Sequence, residues 1–395
     1  MIKRILLLLM PCILLSGCWD RRELNEISIT MAIGIDEIED EYWVTAQTVV
    51  PSEVTVKGST GSSPVTLFSE KGKTIDEAIR KLATVTPREI YPGHLRVLVF
   101  SESIAEKGIG NLLDYFSRNW ELRTDFFVVI ARNMTAEEVL NVTTAIESIP
   151  ANKIFNTLDV SDDILSATRA VTIDELLSDL EKEGKEPVLT GIEVFGDLDM
   201  SSSVENVQSI TPKARIQLAG LAVFSGDKLV GWLTEKESRG YNKITNRVKK
   251  SVTTLSCPDG GNLAIELIRD KSKTKAKMKN GLPQITLDIQ VDAEVGEVNC
   301  QLDLTKIETI QQLEQIYEEE IKEIVGTTIS TLQEDYESDI FGFGEAVHQA
   351  DPKAWKELKK DWDQEFAELP VEIIVDVKIR RTGTITNALN IEKEG

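Results

Sequence analysis

Histidine is almost missing: only His94 and His348 occur in 395 residues, and cysteine numbers four. That is too few nitrogen and sulfur ligands for a His-rich zinc site. Basic charge is also short, with 44 Lys and Arg against 66 Asp and Glu, a net charge of −22. Such a chain repels phosphate at long range, which excludes a general nucleic-acid binder. No apolar run reaches the ~20 residues that a spanning helix needs. The rest of the composition is ordinary. Hydrophobic residues make up 41% and charged residues 28%, which excludes a mostly disordered chain and a polytopic membrane protein. The length suits two or three domains of roughly 100–200 residues each.

The chain opens with Met1-Ile2-Lys3-Arg4 and an apolar run from Ile5 to Leu15, then Ser16-Gly17-Cys18. Two cations, a short apolar stretch and small residues before a cysteine read as a lipoprotein signal peptide over 1–17. The alternative is an ordinary secretory signal with an incidental cysteine. In the first reading Cys18 carries diacylglycerol. Two acyl chains give stable attachment at about 0.8 kcal/mol per buried methylene. Losing Lys3 and Arg4 takes the net charge from −22 to −24. Residues 18–26 then form the anchor and tether. Trp19 suits the headgroup layer, and Arg21 and Arg22 can meet lipid phosphates; the alternative is a plain tether. Cys12 leaves with the signal, so Cys257 and Cys300 remain. Outside the cytoplasm they either pair or stay as two buried thiols, and sequence does not choose between these.

Alternation of Ile27, Ile29, Met31, Ile33 and Ile35, resumed by Tyr42, Val44, Ala46 and Thr48, predicts a hairpin. Helix starts are predicted where Ser or Thr precedes Glu by three, at Thr74, Ser103, Thr135, Thr172, Thr234 and Thr305. Residues 27–145 read as an N-terminal α/β domain, 146–212 as a helix-rich middle domain ending in a linker, and 213–395 as a C-terminal α+β domain. In the last, Ile285 to Ala293 alternate as a strand with one buried face. A helix from Thr305 carries one stripe of Ile307, Ile310, Leu313, Tyr317, Ile321, Ile324, Thr328 and Leu332. Asp351-Pro352 caps another helix, and Val371 to Arg381 closes as a strand. The fold class is α+β (mixed α/β), multidomain, with mixed sheets flanked by helices.

A search for chemistry returns no catalytic set, no metal site and no cofactor motif. Gly72-Lys73-Thr74 lacks the upstream glycine of a phosphate loop and reads as a helix cap. Ser225-Gly226-Asp227-Lys228 matches Ser-x-x-Lys but sits where a hairpin turn is expected. Phe341-Gly342-Phe343-Gly344 follows a helix and reads as a bend. His94 reads as a structural residue at a strand start. Two charge patterns stand out. Arg269, Lys271, Lys273, Lys275, Lys277 and Lys279 recur at every second residue, which on a strand makes one basic face. It suits anionic lipid or an acidic partner, or else a solvent face where Lys discourages stray pairing. From Glu308 to Glu345 there are eleven acids and one base, Lys322, which reads as a solvated helix face or a docking face.

Cys18-Trp19-Asp20-Arg21-Arg22-Glu23-Leu24, Gly93-His94-Leu95, Phe341-Gly342-Phe343-Gly344 with Trp355, and the closing Arg380-Arg381-Thr382-Gly383 occur in order along the chain. This ordered set resembles the Ger(x)C family, the lipoprotein C subunits of bacterial spore germinant receptors. Arg118-Asn119-Trp120-Glu121-Leu122-Arg123 resembles a further family segment, with Asn119 where an acid is expected. The resemblance implies three mixed α/β domains, lipidation at Cys18 and a place on the outer face of the spore inner membrane. It also implies assembly with an A-type and a B-type membrane subunit, and no catalysis. The competing expectation is a solute-binding lipoprotein of a transporter, which needs two similar lobes around a cleft. An extracytoplasmic hydrolase ranks third.

Overall fold

A computed structural model describes Glu23 and residues 25–54, 62–257 and 260–381. Thirteen strands in this range form two sheets. The first contains β1 (Ile27–Ile38), β2 (Glu41–Val49), β3 (Val65–Gly72), β4 (Glu89–Tyr91), β5 (Val97–Ser101), β6 (Phe127–Ala131), β7 (Val188–Gly196), β8 (Ala214–Ser225) and β9 (Lys228–Leu233). Its order is β3-β2-β1-β5-β6-β7-β8-β9, with β4 also paired to β1. The centre, β1-β5-β6-β7, is parallel, and antiparallel hairpins flank it on both sides. A parallel centre must be covered on both faces, and β5 and β6 are accordingly buried at every position. Helices Ile75–Lys81, Gly110–Arg118 and Ile173–Glu181 supply one core. Helices Ala136–Leu140 and Pro150–Ile164 supply the other.

The second sheet is β10 (Val252–Ser256), β11 (Asn262–Lys279), β12 (Leu282–Asn299) and β13 (Val371–Arg381), in that order. Its inner face is the alternating set expected on β12: Ile285, Leu287, Ile289, Val291 and Ala293 are all buried. The helix Ile307–Thr331 covers it with Leu313, Tyr317, Ile321, Val325 and Ile329. Ile307, expected in the stripe, is instead 71% exposed, because it is the first residue of the helix and lies before the stripe reaches the sheet. The acids of this helix do structural work. Glu318 accepts from the Val377 N–H at 3.1 Å and Glu314 from the Ile379 N–H at 2.9 Å, so carboxylates bond the outer edge of β13 at these two positions.

Three expectations need correction. A boundary between 212 and 213 would cut a paired ladder, because β7 and β8 pair from Val188↔Val223 to Gly196↔Ala214. The polar stretch 198–212 is not a simple linker: it holds a short helix, Val204–Gln208, and a buried Asn206 that accepts from the Ala214 N–H and donates to its carbonyl. Val188, Leu221, Val223 and Leu233 of the first sheet share a core with Ile265, Leu287 and Trp355 of the second half. Of the six helix starts, Thr135, Thr172 and Thr234 form reciprocal capping boxes and Thr74 caps by its hydroxyl. Ser103 and Thr305 do not cap. The chain enters one helix directly from β5 at Ser101, and Lys306 is the cap of the other.

Cys257, after β10, and Cys300, after β12, have their sulfurs 2.09 Å apart and their Cα atoms 6.5 Å apart. A closed loop with a sequence separation of 43 contributes about 4 kcal/mol in the chain-entropy model. We expect thiol titration of the unreduced protein to find neither sulfur reactive. The Cys257→Ser, Cys300→Ser double variant should lose about 4 kcal/mol in urea unfolding; reactive thiols in the folded protein would contradict the pairing.

Candidate interaction surface

The proposed anchor residues Cys18, Trp19, Arg21 and Arg22 lie outside the described residues. Where the described chain begins, a groove of about 1260 Å³ opens beside it. Asn25 and Glu26 form part of its wall, together with Arg80, Arg88, Tyr115 and Trp120. Trp120 is 78% exposed, unusual for so large an apolar group. Asn119 makes no ion pair; its side chain instead accepts from the Glu121 N–H at 3.0 Å. Arg118 is held by Asp114 and Arg80 by Asp76, each one helical turn away.

The six cations of the basic strip lie along β11 and all are exposed. Their face of the sheet also carries acids. Arg269 stands opposite Asp292, and Lys273 opposite Asp288. Lys275 reaches Asp288 at 3.6 Å. Among the described residues, Lys271, Lys273, Lys277 and Lys279 have no carboxylate within 4.0 Å, by contrast with Lys243, paired to the buried Asp270. His94 is exposed, with its ring 6.3 Å from that of Tyr91. Ser225 is the last residue of β8, paired with Lys228 across the two-residue turn, and Asp227 of that turn accepts from the Gly110 N–H at 3.0 Å. Among the described residues there is no group of three or more His, Cys, Asp or Glu suited to a metal ion. No described helix is long and apolar enough to cross a membrane.

One densely bonded buried side chain was not legible in advance. Asp339 is 1% exposed. One carboxylate oxygen accepts from the Gly342 and Phe343 N–H groups at 3.0 and 3.1 Å. The other accepts from Gly344 N–H at 2.7 Å and from the Trp362 indole at 3.1 Å. Gly342 takes a φ of +80°, which glycine adopts without strain. A Cβ on Gly344 would lie 2.7 Å from Gly184 Cα and from the Trp355 ring. The bend at Phe341–Gly344 is thus built around one carboxylate. Burial pushes Asp339 up to about 6, against the pull of its four N–H donors. Nearby Glu186 accepts from the Gly226 N–H at 2.6 Å. Burial, with smaller contributions from Asp363 and Asp339, pushes it up to about 7.

Comparison with known proteins gives a consistent result. The family model described as "Spore germination protein N-terminal domain" matches residues 20–194, and "Spore germination B3/ GerAC like, C-terminal" matches residues 219–383. Spore germination protein KC of Bacillus subtilis (strain 168) is 30% identical over 395 residues, covering 97% of this chain and 96% of that protein. The chain belongs to the Ger(x)C family of spore germinant-receptor C subunits. Spore germination protein A3 of the same organism is 26% identical, covering 96% of this chain and 98% of that protein. The crystal structure of the GerBC protein overlays with a TM-score of 0.57 and 19% identity, over 91% of this chain and 100% of that one. At that identity the likeness shows the fold, which in this chain is mixed α/β.

The buried Asp339 and the half-buried Glu186 each make a prediction. Asp339→Ala leaves four N–H donors without an acceptor and should cost about 3–5 kcal/mol in urea unfolding. Glu186 holds its proton more tightly folded than unfolded, so its contribution is greatest at low pH and is lost as pH rises from its ordinary range of about 4.5 towards about 7. Glu186→Gln should therefore leave the melting temperature unchanged near pH 4 and raise it near pH 8. The gain is on the order of 1 kcal/mol once partial exposure is discounted. A gain that is independent of pH would remove Glu186 as the titrating group.

Proposed function

We propose that the chain is the lipid-anchored C subunit of a spore germinant receptor, held at Cys18 on the extracytoplasmic face of the spore inner membrane. There it supports assembly with an A-type and a B-type membrane subunit in the nutrient-triggered germination response. The observation that carries this reading is the family match along both halves of the chain, joined to the Leu15-Ser16-Gly17-Cys18 sequence. Its chemistry is attachment and contact, without turnover.

The geometry gives the anchor a consequence. Cys18 precedes Asn25 by 25 − 18 = 7 residues, and an extended chain spans at most about 3.6 Å per residue. The groove that Asn25 borders, with Trp120 on its wall, is then tied within ~25 Å of the lipid surface. An exposed indole there suits the headgroup layer or the flank of a membrane subunit. Confinement to the membrane plane raises the local concentration of such partners without any further contact.

The solute-binding alternative needs two lobes that close on a cleft. Here residues of both sheets meet in one core, which does not favour it.

Cys18→Ala should yield a folded protein, with an unchanged melting temperature, that no longer sediments with membranes. Undiminished sedimentation would sink the anchor. A C-terminally tagged chain, drawn gently in detergent from dormant spores, should retain two further membrane subunits. Recovery of an ATP-driven permease instead would return the weight to the solute-binding reading.

A further inference from the structure

We propose that the outer edge of β11, from Lys273 to Lys279, receives an acidic, extended polypeptide segment that joins the sheet as a strand. The inference does not rest on Cys18 or on receptor membership. It rests on an unpaired edge and on the charges that line it.

The helix Phe343–Ala350 also packs against β11, but the hydrogen-bonding neighbours on its outer edge stop short. β10 pairs with it only as far as Val252↔Glu266, and the Leu267 N–H then bonds the Ser251 carbonyl at 3.0 Å. The last outward bond comes from the Ser272 N–H, to the Asn246 side chain at 2.8 Å. Register with β12 is unbroken from Arg269 to Lys279. Backbone groups on a strand point to alternate edges. Since Ser272 points outward, so do Thr274, Ala276 and Met278. Among the described residues their outward N–H groups have no bonding partner.

An open edge of this kind is a template for another strand. The lysines decide which strand. A copy of β11 would set Lys beside Lys, whereas a segment with acids at alternate positions would set carboxylates beside Lys273, Lys275, Lys277 and Lys279. Across on β12, the last three of these face neutral residues, Thr286, Gln284 and Leu282. The same face argues against a flat anionic membrane. Asp288 and Asp292 on β12, and Glu372 and Asp376 on β13, share it with the lysines. A bilayer would meet those acids too. A ligand one strand wide, lying along β11, meets the cations alone.

The test uses the full chain in detergent and a fluorescein-labelled nine-residue peptide alternating glutamate with threonine. Fluorescence anisotropy should show saturable binding. The Lys273→Gln, Lys275→Gln, Lys277→Gln, Lys279→Gln variant should weaken it on the order of tenfold or more. The same peptide N-methylated at alternate residues keeps its charge but cannot pair through its backbone, and it should bind as weakly. Ala276→Pro removes one outward N–H at an edge position where proline is tolerated, and it should weaken the peptide while leaving the melting temperature near that of the parent. Equal binding of the N-methylated peptide would overturn strand addition in favour of simple charge attraction. Absence of peptide binding would also overturn it, as would sedimentation with phosphatidylglycerol vesicles, lost in the four-lysine variant, that exceeded peptide binding.

Discussion

One buried carboxylate holds the junction of the molecule. Asp339 collects three successive backbone N–H groups and an indole N–H, and that geometry forces the chain to turn at Gly342. The turn brings the helices Phe343–Ala350 and Pro352–Leu358 back, so that Trp355 and Trp362 meet edge to face at 5.0 Å. It also places the segment against the first sheet. The Glu186 N–H bonds the Asp339 carbonyl at 2.8 Å, the Glu345 N–H bonds the Gly184 carbonyl at 3.2 Å, and the Ser338 hydroxyl bonds the Phe224 carbonyl at 2.6 Å. A carboxylate in this position is costly to bury, and only its full set of donors offsets that cost. The packing around it leaves no room for side chains at Gly184 and Gly344.

What sequence could reveal followed from how local each signal is. Period-two alternation marked β12 and β13, because one face of each meets a core directly below it. The Thr-x-x-Glu boxes were readable where both bonds of the box close within one turn. Where a preceding strand or a neighbouring acid took over, they misled: Thr305 is bonded by Asp303 instead. The pairing of β7 with β8 spans a stretch that looks polar and loose, and nothing local announces that ladder. Asp339 was hidden for a different reason. It is one of eleven acids between Glu308 and Glu345, and only folding separates the one that is buried from those that face water.

Charge in this protein is sorted by position more than by amount. The net charge of −22 reads as simple solubility, yet the second sheet uses its acids and bases at opposite borders. On β13, Glu318 and Glu314 accept two of the outward N–H groups, those of Val377 and Ile379, so that part of the edge is bonded by the protein's own side chains. On β11 the border carries Lys instead, and a cation cannot accept from an N–H. One edge is therefore bonded in part by the protein's own acids, while the other is lined by cations that leave its N–H groups to an outside acceptor.

The two family matches end at 194 and begin at 219, inside β7 and β8, whereas the structure joins those strands in a single ladder. Sequence halves and structural units therefore do not coincide. The shared core of Val188, Leu221 and Val223 with Ile265 and Leu287 makes separation of the halves expensive, at roughly 25 cal/mol per Å² of apolar surface exposed. Hinge closure of the kind a solute-binding pair of lobes uses would have to break that core and the Asp339 junction together. A partner gripping the β11 edge and a membrane surface near the Asn25 groove would instead act on one continuous body. Its geometry then sets how far apart the two contacts must be.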